Sequence, residues 1–92
     1  MARVTWTRRG LANLNAIFAY IHGENPAAAA RVFLKLRRAA DALDIQPNRG
    51  RPIGGGRREL TTVHPYLIRY RVTAEGVEIL QVRHGARKPD AR

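Results

Sequence analysis

The sequence contains no cysteine and no long apolar run, and each absence excludes a class of protein. Without cysteine, the chain of 92 residues can form neither disulfides nor thiolate metal sites. No apolar run approaches the roughly 20 residues of a membrane-spanning helix, and the amino-terminal end lacks the hydrophobic block of a signal peptide. We therefore expect a soluble, cytoplasmic protein that has no membrane partner and needs no metal or other cofactor.

Acidic residues are also scarce. Seven acidic residues face seventeen basic ones, fifteen of which are arginine, and the formal net charge is +10. This excess favours an anionic partner, either nucleic acid or an acidic protein, although an arginine-biased codon supply is an alternative explanation. A hydrophobic content of 45% predicts a single domain over residues 1–92 with one modest core. Residues 88–92 contain no large apolar side chain, so we expect this tail to be loose.

Two amphipathic helices are predicted in the first half of the chain. From residue 8 to about residue 22, apolar side chains recur at steps of three and four, and Thr7 stands where a helix is capped. Asn25-Pro26 predicts the start of a second helix, because asparagine favours the N-cap position and proline the first helical position. This helix extends to about residue 44. The short link between the two helices predicts an antiparallel hairpin.

Four strands are predicted around this hairpin. Val4 and Trp6 alternate with polar residues before the first helix, and residues 59–63, 67–72 and 77–82 follow the second. Residues 46–56, with two prolines and four glycines, predict a loop that is not a nucleotide-binding P-loop, because no Lys-Ser/Thr follows its glycines. The predicted fold class is α+β, with the order β-α-α-β-β-β and the helix hairpin packed on a small antiparallel sheet.

Several short motifs, taken in this order, resemble the RelE/ParE superfamily of bacterial toxins. They are Trp6-Thr7, Asn25-Pro26, Pro47-x-x-Gly50-Arg51, Arg58-Glu59-Leu60, Pro65-Tyr66-x-Ile68-x-Tyr70-Arg71-Val72 and Val77-x-Ile79-Leu80-x-Val82-x-His84-Gly85-Ala86-Arg87. The resemblance covers nearly the whole chain. It implies the toxin of a type II toxin-antitoxin module, which an acidic cognate antitoxin holds inactive. It also implies one of two targets: DNA gyrase in the ParE-like branch, or the ribosome with its mRNA in the RelE-like branch.

The candidate target-binding residues are arginines on or beside the predicted strands. They are Arg57, Arg58, Arg69, Arg71, Arg83 and Arg87. Arg69 and Arg71 share one parity of a predicted central strand, and the same face is free to meet an anionic partner. We expect Glu59 to balance Arg71 or Arg83, and Tyr66 and Tyr70 to pack in the core.

A nuclease would require a different use of these residues. Cleavage of RNA needs a proton acceptor, a proton donor and positive charge at the phosphate, and His84 with Arg58 and Arg87 would supply them. However, no aromatic residue follows His84 to stack on a base. The His84-Gly85-Ala86-Arg87 ending is similar to ParE-type and plasmid-stabilisation members. We therefore expect a gyrase inhibitor that is not an enzyme, with an mRNA endonuclease (mRNA interferase) as the alternative.

Overall fold

A computed structural model describes residues 3–85, so Arg87 and the tail at 88–92 lie outside the described residues. Within these residues, one strand precedes two α-helices, and the other four strands follow them. In chain order the elements are β1 (Arg3–Trp6), α1 (Arg8–His22), α2 (Pro26–Asp41), a 3-10 turn (Ala42–Asp44), β2 (Arg51–Gly54), β3 (Arg57–Leu60), β4 (Tyr66–Thr73) and β5 (Gly76–His84). Neither helix in this part of the chain is long and apolar enough to cross a bilayer.

Both helices begin at the residues that their caps predict. The Thr7 side chain accepts a hydrogen bond of 3.0 Å from the Gly10 N–H, and the Asn25 side chain accepts one of 3.0 Å from the Ala28 N–H. These bonds satisfy donors that the first turn of a helix leaves without a backbone partner. The Phe18 ring of α1 meets a ring of α2 edge-on, with centroids 5.7 Å apart. The predicted helix hairpin is thus confirmed.

The described strands form one sheet in the order β1-β5-β4-β3-β2. The pairs β2–β3, β3–β4 and β4–β5 are antiparallel, whereas β1 pairs with β5 in parallel. The predicted α+β class and the order of the predicted elements are confirmed, but the described sheet has a fifth strand and is mixed, because the first and last strands pair in parallel. Two parallel neighbours must be joined by a long crossover connection. Here that connection contains the helix hairpin and the other three described strands, which lie between β1 and β5 in sequence.

The segment at 46–56 contains a strand that the loop prediction missed. Among the described strands, β2 lies at the edge of the sheet and has β3 as its one partner. An edge strand tolerates proline, because a missing N–H on the outer side removes no ladder bond, and Pro52 takes such a place. The β2–β3 turn then explains the run of glycines: Gly54, Gly55 and Gly56 have φ angles of +92°, +64° and +74°.

β3 occupies an earlier stretch than the predicted strand at 59–63. It ends at Leu60, and residues 61–65 form a turn that leads into β4. The core lies between the helix hairpin and one face of the sheet. Its buried members are Leu14, Leu36, Ala40, Leu43, Leu60, Ile68, Tyr70, Val77, Ile79 and Val82. Tyr66 and Trp6 pack against this cluster, so the core positions predicted for the two tyrosines are confirmed.

Candidate functional site: an arginine-rich sheet face

The face of the sheet turned away from the helices is rich in arginine. Alternation along β4 places Ile68 and Tyr70 in the core and Arg69 and Arg71 on the opposite side. We call this side the outer sheet face. The strand register adds the neighbouring side chains, and the face comprises Arg51, Arg57, Glu59, Arg69, Arg71, Glu78, Gln81 and Arg83.

Glu59 is a buried carboxylate on this arginine-rich face. Its side chain is 4% exposed and accepts hydrogen bonds from Arg51 at 2.8 Å and from Arg69 at 3.0 Å. The expectation that Glu59 balances Arg71 or Arg83 is therefore wrong. The register explains the difference, because Glu59 lies directly opposite Arg51 on one neighbouring strand and Arg69 on the other.

The two arginines keep Glu59 ionised. Burial by itself raises the pKa of a carboxyl group, because the charged form loses its hydration. Here the hydrogen bonds and positive charges of Arg69 and Arg51 outweigh burial, and the pKa of Glu59 is lowered from its ordinary value of 4.5. The carboxylate in turn fixes the position of Arg69.

Arg71 is held by a second carboxylate closer to solvent. Its guanidinium donates to Glu78 Oε1 at 3.0 Å from Nη2 and at 3.3 Å from Nε. The two side chains are 49% and 37% exposed. A pair of this kind adds little to stability, but it directs the Arg71 side chain along the sheet.

A shallow depression opens on the outer sheet face near the middle of β5. Its volume is about 330 Å³, and its lining residues are Thr7, Arg9, Arg57, Arg69, Arg71, Leu80 and Gln81. We call it the arginine depression. Leu80 is an extra residue in β5, because Arg69 and Tyr70 of β4 pair with Gln81 and Ile79. This bulge interrupts the ladder at the depression.

The amino-terminal end of α1 supplies Arg9 to the depression. The Thr7 hydroxyl donates a hydrogen bond of 2.8 Å to the Ile79 carbonyl and so ties the start of α1 to the bulge in β5. Sequence reasoning missed Arg9, because 72 positions separate Thr7 from Ile79. The only local signal was the place of Arg9 in the first turn of the predicted helix, two positions after the cap Thr7.

Arg58 lies on the other side of the sheet from these arginines. Its partner across the strands is Tyr70, whose ring is in the core. One nitrogen of its guanidinium, Nη1, donates to the Asn48 carbonyl at 3.1 Å and to the Gly50 carbonyl at 2.6 Å. Arg58 therefore ties the segment before β2 to the sheet.

His84 stands at the far end of β5, on the same side as Arg58. It pairs with Tyr66 of β4, and the two rings meet edge-on with centroids 5.4 Å apart. Arg58 and His84 are separated by four positions along β4 and by two strand spacings, or roughly 13 Å and roughly 10 Å. The described structure does not bring them together.

The predicted site residues thus divide into three groups. Arg57, Arg69, Arg71 and Arg83 share the outer sheet face, and the first three line the depression. Arg58 and His84 lie on the helix side. Arg87 falls outside the described residues.

Comparison with known proteins identifies the family. The profile described as "ParE toxin of type II toxin-antitoxin system, parDE" matches residues 4–89. Toxin RelE2 of Caulobacter vibrioides is 49% identical over 87 residues, which cover 95% of this chain and 99% of the relative. Toxin RelE1 of the same organism is 32% identical over 80 residues, covering 84% and 86%.

A solved structure supports the same assignment. The chain from the "Chromosomal ParDE TA system from P. aeruginosa" superposes with a TM-score of 0.81 at 26% identity, and the match covers 91% of this chain and 96% of that one. Its place in a ParDE system agrees with the profile and implies a cognate antitoxin for this chain. The chain belongs to the ParE toxin family of type II toxin-antitoxin systems, within the RelE/ParE superfamily.

Proposed function

We propose that this toxin arrests growth by binding and inhibiting DNA gyrase, without catalysing a reaction, until an acidic antitoxin neutralises it. The observation that supports this choice is the separation of Arg58 from His84. A general acid or base and a phosphate-binding cation must reach the same phosphodiester. In this chain the Arg58 guanidinium donates hydrogen bonds to the Asn48 and Gly50 carbonyls. These carbonyls belong to the segment before β2, and β2 and β5 lie on opposite sides of β3 in the sheet.

The outer sheet face is the proposed contact surface. Arg57, Arg69, Arg71 and Arg83 lie on it together, and guanidinium groups bind carboxylates and phosphates in a forked geometry. A protein that already carries a net charge of +10 is also attracted to an anionic partner at long range. Binding of this kind needs no proton transfer, so the proposed function does not require His84 as an acid or a base.

The alternative is a ribosome-dependent mRNA endonuclease. It is favoured by the names of the relatives, since two of them are called RelE and one is 49% identical. In that case His84 would act as the acid or base, and Arg87, together with Arg58 after a rearrangement, would contact the phosphate.

One experiment separates the two functions. The chain is expressed without antitoxin, and gyrase supercoiling and mRNA integrity are measured in the same cells. We expect loss of supercoiling with intact messages, and His84→Ala should arrest growth as strongly as the unaltered toxin. The matched control is His64→Ala, because His64 lies in the exposed turn before β4. Cleaved messages that His84→Ala abolishes and His64→Ala does not would establish the nuclease instead.

A further inference from the structure

We propose that the arginine depression is the subsite for a side-chain carboxylate from the acidic segment of the antitoxin, and that Arg9 and Arg57 are the two cations that receive it. This inference rests on the proposed function, since it requires an antitoxin. It adds the place where that antitoxin binds and a residue, Arg9, that the target-binding set does not include.

The four arginines of the depression are not equivalent. Arg69 is held by Glu59 and Arg71 by Glu78, and neither carboxylate lines the depression. Within residues 3–85, neither Arg9 nor Arg57 forms a salt bridge. Arg57 donates from Nε to the Gly54 carbonyl at 3.3 Å, which leaves its other donors for a partner. The depression is therefore lined by two arginines that are held by carboxylates, Arg69 and Arg71, and by two that form no salt bridge within residues 3–85, Arg9 and Arg57.

The charge around the cavity has one sign. Among the described residues, its lining contains four guanidinium groups and no carboxylate. Arg69 and Arg71 are already paired with carboxylates outside the lining, so an anion that enters is attracted chiefly by Arg9 and Arg57. Arg9 and Arg57 come from α1 and β3, and a carboxylate between them would link the helix start to the edge region of the sheet.

The remaining lining favours a peptide over a nucleotide. Leu80 supplies an apolar surface, and Thr7 and Gln81 supply a hydroxyl and an amide. None of the lining residues within 3–85 is aromatic, whereas sites for single-stranded nucleic acid rely on aromatic side chains for base stacking. An acidic side chain flanked by an aliphatic one matches these groups, with the carboxylate on the arginines and the aliphatic group on Leu80.

Occupation of the depression would also explain neutralisation. Arg57, Arg69 and Arg71 belong both to the depression and to the proposed contact surface of the toxin. An antitoxin carboxylate seated there covers these arginines directly. The antitoxin and the target then compete for the same side chains.

The test measures antitoxin binding by arginine variants. Arg9→Ala and Arg57→Ala are each titrated with the cognate antitoxin, and each should weaken the complex about tenfold or more, since charge-assisted hydrogen bonds are lost. Arg8→Ala and Arg31→Ala are the matched controls, because both remove one exposed arginine from a helix and neither lines the depression. They should bind within about twofold of the unaltered toxin, because each removes a charge that the proposed contact does not use.

A near-isosteric variant tests the sign of the charge. Gln81→Glu adds a negative charge to the lining at nearly constant shape, and it should weaken antitoxin binding while Gln81→Asn does not. Circular dichroism melting curves establish that each variant is folded. The same variants are also titrated with a short single-stranded oligonucleotide, which serves as the comparison ligand.

The outcomes separate this inference from the proposed function. If the unaltered toxin does not arrest growth, the proposed function fails. If it arrests growth and is neutralised, but Arg9→Ala and Arg57→Ala bind antitoxin as the controls do, the carboxylate subsite is wrong. Loss of oligonucleotide binding without loss of antitoxin binding would reassign the depression to nucleic acid and overturn the inference.

Discussion

The hydroxyl of Tyr70 donates a hydrogen bond of 2.8 Å to the carbonyl oxygen of Pro47, 23 positions earlier in the chain. The same hydroxyl accepts a bond of 2.7 Å from the Gly50 N–H. Tyr70 is fully buried, so one side chain of the core fixes the segment that leads into β2. The position of β2, and hence of Arg51 beside Glu59, depends on this contact.

We expect Tyr70→Phe to lower the free energy of unfolding by about 1–3 kcal/mol, because it leaves the buried Gly50 N–H without an acceptor. Tyr20→Phe is the matched control, since Tyr20 is 70% exposed. Its effect should stay within about 0.5 kcal/mol. Urea denaturation of both variants measures the difference, and equal midpoints would show that the Tyr70 hydroxyl contributes nothing to stability.

The neighbouring arginines of β3 should have opposite roles. Arg58 is bound to the Asn48 and Gly50 carbonyls, so Arg58→Ala should destabilise the fold by about 1–2 kcal/mol. Arg57 is exposed, and Arg57→Ala should change stability by about 0.5 kcal/mol or less. Thermal melts of the two variants make the comparison. A larger loss for Arg57→Ala than for Arg58→Ala would contradict the assignment of the two faces.

Removal of the Glu59 charge should destabilise the outer sheet face. In Glu59→Gln, Arg51 and Arg69 lose their carboxylate, and Arg69 is only 25% exposed. We expect a loss of about 1–2 kcal/mol at neutral pH. Glu78→Gln breaks the more exposed pair and should cost about 0.5 kcal/mol or less. Denaturant titrations at one salt concentration give both values; if Glu78→Gln costs as much, burial does not distinguish the two pairs.

The contribution of Glu59 should also depend on pH in one direction. Its pKa is lower in the folded chain than its ordinary value of 4.5, so the unfolded chain binds the proton more readily. The stabilisation is complete above 4.5 and is lost as the pH falls through the lowered pKa. The difference in stability between the unaltered chain and Glu59→Gln should therefore be constant near neutrality and shrink in acid. If the difference in the free energy of unfolding instead grew as the pH fell, the pKa of Glu59 would have to be raised in the folded chain, contrary to this prediction.

Gly76 should be among the least replaceable residues of the sheet. Its φ is +146°, and an added Cβ would collide with the Arg3 backbone of the neighbouring strand. Gly54 also has a positive φ, of +92°, but a Cβ there would meet nothing within 4 Å. Gly54→Ala should therefore cost only backbone strain, about 1 kcal/mol, whereas Gly76→Ala should cost at least about 2 kcal/mol because β1 must also move. Denaturation midpoints compare the two, and amide exchange of β1 reports its separation from β5.

Local patterns in the sequence predicted both helices, their capping residues and three of the strands. A helix needs only neighbours three and four positions away, so the apolar spacing and the caps Thr7 and Asn25 contain nearly all the necessary information. The six short motifs, taken in their order along nearly the whole chain, also indicated the toxin superfamily, which the profile confirms.

Only the tertiary structure decided which residues meet. The parallel pairing of β1 with β5, the edge strand in the glycine-rich segment and the true partners of Glu59 all depend on strand register between distant parts of the chain. Arg57 and Arg58 lie on opposite faces by the alternation of β3, but only the pairing of β3 decides which face each one occupies. The hydrogen bond from Thr7 to Ile79 brings Arg9 to the depression beside Leu80. The sequence determined a basic α+β chain because periodicity and charge are local properties, and its ordered motifs supplied the resemblance to this family. Which residues form its site was decided by contacts across the sheet, and no local pattern in the sequence specifies those contacts.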